Sequence, residues 1–127
     1  MEELIREYSM FVNNQIVIYK NEEQSLKDND RKDESNFYKI RCNVCDIYLT
    51  LMNATIKKVG MKSLGEDEKK DFFIGEYLRT FETVPMNWLT RLEQGRKVGD
   101  SEIVAIEEIK FETMNLLKDT FMELTNQ

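Results

Sequence analysis

The chain has 127 residues, 18 Lys/Arg against 24 Asp/Glu, no histidine and a net charge of −6. That length suits one domain with its own hydrophobic core, and 41% apolar with 33% charged residues argues against disorder. One proline and five glycines are too few turn residues for a sandwich of short strands.

The first segment reads as a helix from about Glu2 to about Lys27. Leu4, Ile5, Tyr8, Phe11, Val12, Ile16 and Tyr19 recur at the three-and-four spacing of an amphipathic face. Beyond Tyr19 the pattern fades, and the polar stretch from Asp28 to Ser35 is expected to form the first loop with frayed flanks. A second helix is expected to begin between Asp33 and Ser35 and to end near Gly60. Phe37, Ile40, Val44, Ile47, Tyr48 and Leu51 form one stripe, and Cys45, Leu49, Met52, Ile56 and Val59 an adjoining one. So broad an apolar surface predicts a central helix, with Gly60 and Gly65 bracketing its exit.

A third helix is expected from Glu66, where Glu66, Asp67 and Glu68 suit the positive end of the helix dipole. Phe72, Phe73, Tyr77, Leu78, Phe81 and Val84 supply its buried face. Pro85 lacks an amide hydrogen and clashes with the preceding turn, so the helix kinks or restarts there. Met86, Trp88, Leu89 and Leu92 carry the face on to Glu93, and Gly95-Arg96-Lys97-Val98-Gly99 reads as a short basic loop. Asp100 or Ser101 then caps the last helix, whose stripe is Ile103, Ile106, Ile109, Met114, Leu117, Phe121 and Leu124. The expectation is an all-α, up-and-down four-helix bundle in a single domain over residues 1–127, its third helix kinked or split at Pro85.

No apolar run approaches the roughly 20 residues that span a bilayer. Together with an acidic start at Met1-Glu2-Glu3 and two cysteines in no secretory context, this predicts a cytoplasmic protein with reduced thiols. Charge is segregated. Residues 1–36 carry five Lys/Arg against nine Asp/Glu, residues 37–60 four against one, and residues 100–127 two against seven. Charge segregated in this way helps neighbouring helices choose partners within the bundle. The sharper alternative is an acidic face that meets a basic partner or imitates nucleic acid. Nucleic-acid binding is disfavoured because phosphates need a concentrated basic surface.

The missing histidine removes Ser-His-Asp and Cys-His nucleophile systems and histidine-based metal sites. No metal or cofactor is expected, because the acidic residues fall mostly opposite the apolar stripes; Glu22-Glu23 and Glu107-Glu108 are expected on solvated faces. The glycine-flanked segment at 95–99 lacks the Gly-Lys-Ser/Thr ending of a phosphate-binding loop. The sharpest local motif is Cys42-Asn43-Val44-Cys45. Two thiols three residues apart on a helix are neighbours, and in redox proteins that spacing lowers a thiol pKa and permits a local disulfide. Here the pair lies inside a helix with no preceding strand, which favours a packing role.

Trp88, with Met86 and Leu89 just after Pro85, reads first as core packing, with an interface anchor as the sharper alternative, since interfaces favour Trp and Met. Tyr8, Tyr19 and Tyr48 read as core-edge residues. The leading functional expectation is a non-enzymatic helical interaction module that binds a protein partner or itself, forming a homo-oligomer in the latter case. The alternatives are a thiol redox protein using Cys42 and Cys45, or a sensor with a small-molecule pocket between helices near Tyr77 and Trp88.

Overall fold

The apolar spacing of the first segment becomes one long helix, α1 (Glu2–Asp28), and its stripe of Leu4, Tyr8 and Val12 is buried together with Leu26. The structure, a computed structural model, describes residues 1–126. Four further helices follow: α2 (Lys32–Gly60), α3 (Glu66–Thr83), α4 (Met86–Val98) and α5 (Ser101–Thr125). The four-helix arrangement is present, and its third member is split in two at Val84 and Pro85.

The first loop is shorter than its polar sequence suggested. Leu26 is buried, so α1 stays wound to Asp28. Asp30 then takes the left-handed conformation (φ 57°), and the Arg31 amide donates to the Leu26 carbonyl at 2.8 Å. A short polar side chain tolerates that conformation, which satisfies the last carbonyls of the helix. The same closure ends α4, where Gly99 (φ 72°) lets the Asp100 amide reach the Gly95 carbonyl at 2.8 Å. The segment 95–99 is therefore mostly helix. Gly99 alone terminates it, while Gly95 is buried inside α4, where a Cβ would lie 2.9 Å from Ile103 Cγ2. Asp100 is the cap of α5, its carboxylate accepting from the Ile103 amide at 3.1 Å.

Register is set by contacts that run in opposite directions along sequence. Ser35 donates to the Glu23 carbonyl, Cys42 lies against that of Ile16, and Ser9 reaches Met52, so α1 and α2 are antiparallel. On the other side of α2, Lys58 pairs with Glu76 at 2.7 Å and Tyr48 stacks on Phe81, which fixes α3. α2 packs against α1, α3 and α5, as its two stripes predicted. α5 shares the centre with it, packing against all four other helices.

The core is aromatic. Tyr8, Tyr48, Phe73, Tyr77, Phe81 and Phe121 come from α1, α2, α3 and α5 and meet at centroid distances between 4.6 and 6.5 Å. Most of the contacts are edge-on, the geometry that the ring quadrupole favours, worth about 0.5–1.5 kcal/mol a pair beyond burial. Tyr8 and Tyr48 are thus fully buried, not at the core edge, while Tyr19 is half-buried beside Tyr38. Among the described residues, no helix is long and apolar enough to cross a membrane.

Candidate functional site

Pro85 decides where the surface opens. α3 lies on α2 and α5, but α4, restarting after the proline, packs chiefly on α5. The N-terminal halves of α2 and α5 are left flanking a cleft of about 490 Å3. Phe37 and Ile40 from α2, with Ala105 and Ile106 from α5, give it a half-buried apolar lining. Asn36, Asn43 and Ser101 add exposed amide and hydroxyl groups.

Asp33, Glu102 and Lys39 are the charged lining residues, and all three are exposed. Among the described residues none of the three makes an ion pair. A cleft with an apolar floor, a polar rim and more carboxylates than cations can take an apolar side chain flanked by cations.

The residues singled out in the sequence lie elsewhere. Cys42 and Cys45 are free, buried thiols in mid-helix. Burial pushes the Cys45 thiol up to about 12, with Cys42 and Asp46 adding to the effect, and burial likewise raises Cys42. A thiol held protonated is a poor nucleophile, so the activating surroundings that the redox reading needs are missing. Among the described residues no cluster of three or more Cys, Asp or Glu is placed to hold a metal ion.

Tyr77 and Trp88 sit in different surroundings. Tyr77 is at the middle of the aromatic core, with no exposed surface. Trp88 is packed on α5, edge-on to Phe111 at 6.1 Å, with the Lys110 ammonium 5.8 Å from its ring. Met86 and Leu89, at 64% and 47% exposure, lie outside that contact. The cleft is lined by none of the four.

One polar group escaped sequence reasoning. Glu107, expected on a solvated face, is fully buried between α4 and α5. Its Oε1 accepts from Arg91 Nε at 3.0 Å and from Lys110 Nζ at 3.1 Å, while Oε2 has no protein partner. The correction has a simple cause: two cations supplied by neighbouring turns offset the cost of burying the carboxylate. A signal was present. Ile103, Glu107, Lys110, Met114, Leu117 and Phe121 repeat at alternating spacings of four and three, so Glu107 and Lys110 occupy the buried stripe itself. Glu108, by contrast, is exposed and pairs with Arg96 at 3.4 Å.

Comparison with known proteins returned no match: no family model fits the chain, no curated protein resembles it in sequence, and no solved structure resembles it significantly.

Proposed function

We propose that the chain is a non-enzymatic, cytoplasmic interaction module whose α2–α5 cleft receives a basic amphipathic helix of a protein partner. The observation that carries this reading is the cleft lining. Phe37, Ile40, Ala105 and Ile106 offer apolar surface, and the unpaired Asp33 and Glu102 carboxylates outnumber the single Lys39. An amphipathic helix recognised in a groove buries its apolar anchors and places its cations at the rim. The net charge of −6 steers such a segment toward the surface from a distance.

A labelled synthetic peptide of leucine and lysine at helical spacing is the probe. Its fluorescence anisotropy should rise saturably with protein and weaken as salt is added. Amide shift perturbations should concentrate on residues 33–43 and 101–106. Paired reversal of exposed rim charges, Asp33→Lys with Glu102→Lys, should weaken binding about tenfold or more, while Glu93→Lys on α4 should leave it unchanged. Binding unaffected by the paired reversal, or perturbations centred on another surface, would reject the cleft.

A further inference from the structure

The outer face of α1 is chemically unlike the rest of this charge-rich surface. From Ser9 to Tyr19 there is no charged residue, in a chain that is one-third charged. Within that run Met10, Val17 and Ile18 are 56%, 57% and 51% exposed, and Asn13 and Asn14 are exposed with them. Met10, Asn14, Val17, Asn21 and Gln24 follow one another at spacings of four, three, four and three. They form a continuous seam on the side of α1 opposite its buried stripe of Leu4, Tyr8 and Val12. Nothing in the fold of the single chain uses that seam.

We propose that this seam is a self-association surface, on which α1 of a second copy of the chain packs antiparallel to form a two-fold dimer. The choice of a second copy follows from charge. A two-fold interface places the same patch on both sides, so it must be self-complementary. Two copies that each carry −6 repel one another, and an uncharged face is where they approach at least cost. Asn14 and Asn21 suit a self-facing position, because an amide both donates and accepts. Neither side chain has a hydrogen-bond partner among the described residues, whereas Asn13 and Gln24 are bonded within α1.

The antiparallel sense follows from the ends of α1. Glu2 and Glu3 lie at the positive end of its dipole, and Lys27 and Asp28 offset one another at the other end. Antiparallel pairing opposes the two helix dipoles, while parallel pairing would align them. The seam from Met10 to Gln24 is about 22 Å long at 1.5 Å per residue. One helix pair of that length buries less than a standard interface, so the dimer is weak and forms in the micromolar range or above.

This surface is separate from the α2–α5 cleft, so either site can fail without the other. Sedimentation equilibrium on the full chain, from about 10 µM to about 500 µM, tests it. The expected result is a mass that climbs from 15.1 kDa toward twice that value. Added salt should strengthen the association by screening the repulsion between the two net charges. Met10→Lys with Val17→Lys should hold the mass at 15.1 kDa throughout, with the thermal melt of the helices unchanged. The near-isosteric pair Asn14→Asp with Asn21→Asp should do the same without altering seam volume. A mass of 15.1 kDa at every concentration, or a dimer that survives both pairs of substitutions, would overturn the proposal.

Discussion

The hydroxyls of Tyr77 and Tyr8 lie 3.0 Å apart in the middle of the core, 69 positions distant in sequence. The Tyr77 hydroxyl is also 3.0 Å from the carbonyl of Tyr48. A carbonyl can only accept and a hydroxyl has one proton, so Tyr77 donates to Tyr48 and accepts from Tyr8. One oxygen thereby ties α1, α2 and α3 together in a dry interior.

Removing that oxygen leaves the buried Tyr8 hydroxyl without its acceptor, while the Tyr48 carbonyl keeps its place in the ladder of α2. Tyr77→Phe is expected to destabilise the fold by about 1–3 kcal/mol, the cost of stranding the Tyr8 donor. Tyr8→Phe should cost less, because the Tyr77–Tyr48 bond survives it. In the double variant the two effects should not add. Urea denaturation of the four proteins measures the coupling; strict additivity would show that the two hydroxyls do not interact.

The buried carboxylate of Glu107 makes an opposite pair of predictions. Arg91→Ala with Lys110→Ala strands a charge between α4 and α5 and should cost about 3–5 kcal/mol. Glu107→Met, which removes the charge and fills the same space, should be neutral or stabilising. Thermal melts compared across the three proteins would decide it. A Glu107→Met protein as unstable as the double alanine variant would mean that the ion cluster stabilises the fold by more than its burial costs.

Stability should fail at high pH. Burial pushes Tyr8, Tyr48 and Tyr77 well above the ordinary tyrosine value of 10.0, and Cys45 from 9.0 up to about 12. Over those intervals the unfolded chain releases protons that the folded chain keeps. Stability is therefore complete below about pH 9 and falls as pH rises through the cysteine and tyrosine range. In an alkaline titration, tyrosinate absorbance from the three buried rings should appear together with loss of helical circular dichroism. Ionisation of all the tyrosines before any helix melts would contradict their burial.

The helices were legible because their apolar spacing is regular and Pro85 is unambiguous. Phe73, Tyr77 and Phe81 sit at successive fours, and all three are buried. Legibility ends where neighbours override a residue's usual habit. The residue type of Glu107 points to solvent, while its place in the stripe of α5 points to the core. Gly95 has the residue type of a turn, yet it serves as the flat spot on which Ile103 rests. The cleft could not be read at all. It depends on how α4 leans after the proline and on which halves of α2 and α5 come together, and neither relation is written in any one segment.

α4 has one consequence for how the molecule comes apart. Its principal neighbour is α5, joined to it through the tight turn at Gly99, and it contributes none of the six rings of the aromatic core. Such a segment can open sub-globally, at a free energy below that of the whole bundle. Trp88, the only tryptophan in the chain, lies on that segment. Its emission is a gauge of one docked helix. A melting curve followed by fluorescence should run ahead of one followed by circular dichroism, and the gap between them measures how far this small protein departs from all-or-none unfolding.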